Sequence, residues 1–235
     1  MGNALSLIHP VSTVDQDVDS DPRYVIPDVD MSQVTLSDSD RWVLRFNSDE
    51  EFPVFTWEVL ETRIPPSENN DLDGLQRTPS ELKRYFKWSL DTRLAYGSVM
   101  EYLLQHRLPA SWGRPPFTPT CATPFSSPDD YCILTNEWPY ALDHGIVHLV
   151  VWTRTPIATD DTVGDMTPES RRIVEGFVQR TFRDCVGAGN VLWFKNWAAL
   201  QSVRALDHVH VLLRNVDPAM IKEWTTGVVT PRMLA

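Results

Sequence analysis

Cysteine is scarce in this 235-residue chain: Cys121, Cys132 and Cys185 are all there are, with no paired spacing. That pattern fits neither a disulfide framework nor a zinc finger, and it points to a reducing compartment, with the cytosol as the expectation. Long apolar runs are missing as well. Nothing approaches the roughly 20 residues a membrane-spanning helix needs, and no secretory signal precedes the first turn-rich segment, so stable membrane insertion is not expected. The chain has no Gly-rich Walker pattern to cradle a nucleoside triphosphate, no nucleophile elbow and no internal repeat.

Positive charge is in deficit overall, at a formal net of -11, but the deficit is unevenly spread. Residues 1–76 hold 16 acidic and 4 basic side chains, whereas residues 77–235 hold 16 acidic and 17 basic. The stretch 77–114 is locally positive, with 7 basic against 3 acidic, so an acidic pI does not exclude a polyanionic partner. Residues 1–40 carry aspartates and little hydrophobic periodicity, which predicts a mobile, disordered acidic leader ahead of one domain over 41–235. The start Met1-Gly2-Asn3-Ala4-Leu5-Ser6 matches an N-myristoylation pattern. No polybasic patch follows it, so the expectation is at most weak membrane association if Gly2 is acylated.

The hydrophobic fraction of 42% suits a real core. Phe52–Ile64 reads as a short helix. Thr78-Pro79-Ser80-Glu81 is a capping box opening a long helix to about His106, with Leu82, Phe86, Leu90, Gly97, Met100 and Leu104 inward. The proline-rich stretch from Pro109 to Pro128 reads as an extended wrapping loop. Ile146–Thr153, Val191–Lys195 and His208–Arg214 read as strands, with a short helix over Trp197–Ala205. Thr155–Asp165 reads as an acidic loop. A second amphipathic helix runs from Thr167-Pro168 to Gly187, and Asp217-Pro218 opens a last one. The fold expected is α/β, with α+β possible: a single mixed sheet core packed by the long N-terminal helix and the second amphipathic helix.

Three segments concentrate chemistry. Asn136-Glu137-Trp138-Pro139-Tyr140 sets an amide, a carboxylate and two polar-tipped rings on a Pro-fixed turn, which suits a ligand cleft, though such rings also cap cores. Trp193-Phe194-Lys195-Asn196-Trp197 places Trp193 and Lys195 on one strand face, at a strand end where ligands dock; Asn196 doubles as a helix N-cap. His208 and His210 share a strand face, and alternation sets His148 with Ile146, Val150 and Trp152. If those strands are neighbours, three imidazoles converge for acid–base work, for a metal-dependent hydrolase, or simply as buried structural histidines. Of the carboxylates, Glu137 and Asp207 are best situated. Ser202 and Cys132 occupy positions open to nucleophiles without a nucleophile's local pattern.

The strings Leu134–Tyr140, Gly145–Trp152, Val191–Trp197 and His208–Leu212, in that order, resemble a fungal family named after an N-acetylglucosamine-induced protein and known as a domain of unknown function. The chain is also similar to the fungal arginine-containing cyclodipeptide synthases, which join arginine to a second amino acid from aminoacyl-tRNAs. Those synthases carry an Asp-Asp motif completed by a Glu three residues on; Asp129-Asp130 and Asp160-Asp161 lack it here. The resemblance implies arginyl-tRNA and a second aminoacyl-tRNA as partners, no cofactor and no metal. It also implies His148, His208 or His210 as base, Lys195 for the oxyanion or a phosphate, and Glu137 for the arginine side chain. Asn136, Trp138, Tyr140, Trp152, Trp193, Asn196, Trp197, Ser202 and Asp207 are then substrate contacts. Arg77, Lys83, Arg84, Lys87 and Arg93 become salt-sensitive tRNA contacts, although a solvated helix exterior explains them equally. The alternative is a non-catalytic N-acetylglucosamine or sugar-nucleotide binder using the same aromatics.

Overall fold

The computed structural model describes residues 25–26, 29–64, 72–160, 162, 164–196, 203 and 205–226. Within the stretch expected to be leader, Ile26 is buried and Met31–Gln33 form a 3-10 turn. Ser37 then opens helix α1 (Asp38–Val43) with a reciprocal capping box to Asp40. Thr56 caps α2 (Trp57–Arg63). The long helix of the sequence reading is two: α3 (Pro79–Tyr96) and α4 (Val99–His106), split where Gly97 takes φ +84°. The apolar period runs through this point, so only glycine's tolerance of the left-handed region marks the break. Thr78 makes no side-chain cap on α3; the Asp49 carboxylate instead accepts from the Ser80 N–H at 2.9 Å and from the Ser80 hydroxyl.

Strand β1 (Tyr131–Thr135), absent from the sequence reading, is followed by β2 (Val147–Thr153). The acidic loop holds a small hairpin of β3 (Thr159–Asp160) and β4 (Asp165–Met166). Helix α5 (Pro168–Val178) runs through a π-turn at Gln179–Arg183 into α6 (Asp184–Val186). Then come β5 (Val191–Phe194), β6 (Asp207–Leu213) and α7 (Pro218–Thr225), the last capped by Asp217. The main sheet has the order β1-β2-β6-β5 and is antiparallel at every pairing. The mixed α/β class therefore takes its α+β form, because connections between neighbouring strands turn the chain back rather than carry it across. The helix expected over Trp197–Ala205 lies almost wholly outside the described residues.

Alternation divides the sheet. Leu149, Val151, Val209, Val211, Val191 and Trp193 pack with Val174, Phe177 and Phe182 in the largest core cluster, under α5 and α7. The opposite face is covered by two separate clusters. Val43, Leu60, Leu82, Phe194 and Leu212 belong to one, built on α1–α3; Leu103, Leu108, Trp112, Val150 and Trp152 belong to the other. Where those two clusters part, the sheet is open to a cleft.

The proline-rich loop is held by one carboxylate. Asp130 is fully buried and accepts from the Thr120 N–H (2.9 Å), the Thr120 hydroxyl (2.8 Å), the Cys121 N–H (2.8 Å) and Arg154 Nε (2.7 Å). Burial alone would raise its pKa; the bonds from Thr120, Arg154 and Cys121 overrule that and hold it at about 2. Asp130→Ala strands Arg154 and should cost about 3 kcal/mol in urea denaturation. Because the folded pKa is depressed, the wild-type advantage over this variant is full above the ordinary value of 3.8 and disappears as pH falls toward about 2.

Candidate functional site

The cleft has a volume of about 470 Å³. Its floor is the sheet face carrying Val150, Trp152, His208 and His210, and its walls come from α3, α4 and the turn after β1. Two backbone ties set that turn. Ala141 N–H donates to the Gln76 carbonyl at 2.9 Å, and Phe55 pairs with the same segment through Ala141 and Asp143. Arg77 is thereby brought beside Tyr140, its guanidinium 5.8 Å from that ring and 4.1 Å from the Tyr85 ring. Tyr85, Trp88 and Trp138 form a continuous aromatic wall, with ring centres 5.2–6.0 Å apart.

At the floor the β2–β6 register sets Val150 opposite His210 and Trp152 opposite His208. His148 stands behind His210, with its Nε2 2.9 Å from His210 Nδ1. Asn196 Nδ2 lies 3.3 Å from His210 Nε2, and Asn136 Nδ2 lies 3.2 and 3.3 Å from the two ring nitrogens of His148. An amide NH2 only donates, so His210 accepts at Nε2 and carries its hydrogen on Nδ1. That hydrogen goes to Nε2 of His148, so both rings are neutral in this arrangement; His148 then carries its own hydrogen on Nδ1, and the Asn136 amide can donate only to the same Nε2. Phe194 stacks on His210 at 4.8 Å. His208 Nδ1 donates to the Leu206 carbonyl at 3.2 Å, which leaves Nε2 as the lone-pair nitrogen, and its ring packs 4.3 Å from Trp152.

Burial is the first cause that lowers all three histidines: His148 to about 3, His208 to about 4, and His210 well below the ordinary 6.5. Arg77 adds a smaller push in the same direction on His148 and His210. At the cleft's rim the Glu137 carboxylate pairs with Arg107, whose other nitrogen donates to the Thr135 carbonyl at 3.2 Å. The Asn136 amide oxygen accepts from the Trp138 N–H at 3.0 Å, so this residue shapes the turn as well as facing His148.

A family model described as a protein of unknown function, DUF3605, matches residues 56–214. The chain belongs to the DUF3605 family. The DUF3605 span contains every cleft residue named above. N-acetylglucosamine-induced protein 1 of Candida albicans is 28% identical over 193 residues, covering 74% of this chain and 73% of its own length. An uncharacterized protein of Saccharomyces cerevisiae is 30% identical over 166 residues, covering 70% of this chain and 81% of its own. The crystal structure of HTC1 aligns with a TM-score of 0.57 at 29% identity, over 74% of this chain and 93% of its own.

Of the residues singled out in the sequence, Asn136, Glu137, Trp138, Tyr140, Trp152, Asn196, His208, His210 and Arg77 meet around one cleft, with His148 behind them. Trp193 does not. It pairs with Val211 on the opposite sheet face, and its Nε1 donates to Glu175 at 2.6 Å. Lys195 and Asp207 are also absent from the lining. They pair with each other at 3.1 Å, and Asp207 accepts from the Ile157 N–H at 3.0 Å. Lys195 is thus a buried cation already neutralised, not a free oxyanion donor. Arg84 and Lys87 face outward and pair with Glu81 and Asp91; Lys83 and Arg93 also lie away from the cleft. Trp197 and Ser202 lie outside the described residues. Burial lifts the Cys132 thiol to about 12, which removes it as a nucleophile at neutral pH. Among the described residues no three His, Cys, Asp or Glu side chains are arranged to hold a metal ion. His148 and His210 are bonded to each other rather than splayed about a point.

The sequence reading missed Tyr85, Trp88, Arg107, Thr35 and Asp40, all of which line the cleft. Tyr85 and Trp88, three apart on α3, were the available signal.

The buried imidazoles make stability depend on pH. Their folded pKa values are depressed, so their neutral forms stabilise the fold above the ordinary value of 6.5, and that contribution is lost as pH falls toward about 4. The melting temperature should fall steadily across that window, and His210→Gln should flatten the slope, by up to roughly 1.4 kcal/mol for each pH unit. Parallel slopes in the two proteins would count against neutral burial.

Proposed function

We propose that this protein is an aminoacyl-tRNA-dependent transferase that joins arginine to a second amino acid as a cyclic dipeptide. The observation that carries the reading is His208: a neutral ring oriented through Nδ1 by a backbone carbonyl, its Nε2 free, on the floor of an aromatic cleft. An aminoacyl ester is already activated, so the chemistry needs a base, a place for the oxyanion and two substrates held close, and no nucleotide hydrolysis. The α-amine of the second aminoacyl group attacks the arginyl ester carbonyl. His208 takes the amine proton and returns it to the departing ribose hydroxyl, which releases the first tRNA. The arginine's own amine then attacks the remaining ester, closing the ring and releasing the second tRNA. The linked pair His210 and His148 lies one ring away from His208, with centres 5.3 Å apart, and keeps the floor polar but uncharged.

Glu137 serves the guanidinium of the substrate, alongside the Trp88 and Trp138 faces, which favour a planar cation. The outward basic residues of α3, namely Lys83, Arg84, Lys87 and Arg93, serve tRNA phosphates; exposed intrahelical pairs such as Arg84–Glu81 are weak enough to yield to them. The similarity to an N-acetylglucosamine-induced protein favours a second reading: a non-catalytic binder of N-acetylglucosamine or its nucleotide sugar in the same cleft.

Purified protein given arginyl-tRNA and a mixture of other charged tRNAs should yield cyclo(Arg-Xaa) by mass spectrometry. His208→Gln should slow product formation about 100-fold or more, and Glu137→Ala should weaken the preference for arginine. No cyclic product from any charged pair ends the transferase reading. A thermal shift with the sugar or its nucleotide, and none with tRNA, puts the binder in its place.

A further inference from the structure

Two hydrogen-bond donors in the cleft wall are buried and unpartnered: Arg77 Nε and Trp138 Nε1. Both side chains line the cleft, and both pack on Tyr85, the guanidinium at 4.1 Å and the indole at 5.7 Å between ring centres. A buried donor left unmade costs about 1–3 kcal/mol, so a ligand that brings an acceptor to this wall gains by satisfying them. No carboxylate neutralises Arg77 among the described ion pairs. Of the two acids that line the cleft, Glu137 is engaged by Arg107, and the Asp40 carboxylate accepts from the Ser37 N–H at 2.8 Å and the Ser37 hydroxyl at 2.6 Å. The neighbouring imidazoles contribute no opposing charge.

We infer that Arg77 and the Trp138 indole N–H form an oxyanion subsite, which takes the phosphate or carboxylate of a ligand whose flat part rests on the Tyr85, Trp88 and Trp138 rings. A guanidinium recognises either group through its planar fork, so phosphate monoester and carboxylate are the two sources of this chemistry. This assignment moves Arg77 off the helix exterior, where its spacing with Lys83, Arg84 and Lys87 had grouped it, and into the cleft. It holds for a transferase and for a binder alike.

The test compares matched ligands with and without the anion: AMP against adenosine, and N-acetyltryptophan against N-acetyltryptophanamide, each titrated calorimetrically into the full-length protein. The charged member of at least one pair should bind about tenfold or more tightly than its neutral partner. Arg77→Met, which keeps the stem against Tyr85, should remove that preference, and Trp138→Phe, which keeps the ring but loses the donor, should reduce it. AMP over adenosine identifies the phosphate source; N-acetyltryptophan over its amide identifies the carboxylate. Equal binding within both pairs, or a preference that survives Arg77→Met in protein with the wild-type circular dichroism spectrum, overturns the subsite. No turnover is involved, so this result stands apart from the success or failure of the cyclic-dipeptide assay.

Discussion

Two imidazoles in a dry place can be tolerated only if each satisfies the other, and the 2.9 Å bond between His148 and His210 is that condition. Its geometry depends on strands β2 and β6 lying antiparallel in a register that pairs Val150 with His210 and His148 with Leu212. A slip of one residue would turn His148, His208 and His210 into the apolar layer under α5 and expose Leu149, Val151 and Val209 in their place. The register is therefore enforced from both faces: by apolar packing on one side and by the Asn196–His210–His148 hydrogen bonds on the other. Once this bond is made, the floor of the cleft is determined.

The walls are a separate achievement of the chain. They exist because the second sheet face is covered by two hydrophobic clusters instead of one, and the turn bordering the gap is set by backbone ties. The Gln76–Ala141 and Phe55–Ala141 bonds bind the turn after β1 to the helical layer, while Asp130 fastens the proline-rich loop behind the opposite cluster. An aromatic cleft floored by neutral imidazoles is the outcome, with its charge carried by Arg77, Asp40 and the Arg107–Glu137 pair. Such an interior penalises positive charge at the floor, whether it is a bound cation or a protonated ring.

Much of this was legible from residue order. Proline at the first turn with Thr or Asp before it marked the starts of three helices, α3, α5 and α7, and period-two alternation marked β2 and β6. The sharing of one face by His208 and His210 followed from those strands, with His148 joining them if β2 and β6 are neighbours; their grouping with the Asn136–Tyr140 turn came from the resemblance. Trp193 went astray for a definite reason. Alternation relates Trp193 to Lys195 on one strand but says nothing of which face that strand shares with β6; the pairing Phe194 with His210 decides it. Gly97 was hidden because the apolar period passes through it, and β1 because its five residues follow a proline-rich loop directly. Thr35 and Asp40 were lost to the acidic composition around them, where a local capping box outweighed the regional signal. Lys195 and Asp207 were read as two site residues when they are one ion pair.

The contact between Arg107 and Glu137 has a further meaning for recognition at the rim. The protein carries its own guanidinium, tethered at the end of α4, on the very carboxylate that would greet a cation from outside. A tethered group competes at an effective concentration on the order of millimolar or above. A visiting ammonium or guanidinium that pairs with Glu137 must first displace Arg107, so its net gain from charge is smaller than at an unpaired carboxylate. What it must bring is surface that Arg107 lacks, reaching down to the indoles. Under the proposed function, the resident arginine is a reference ligand against which a substrate's length and shape are weighed together with its charge.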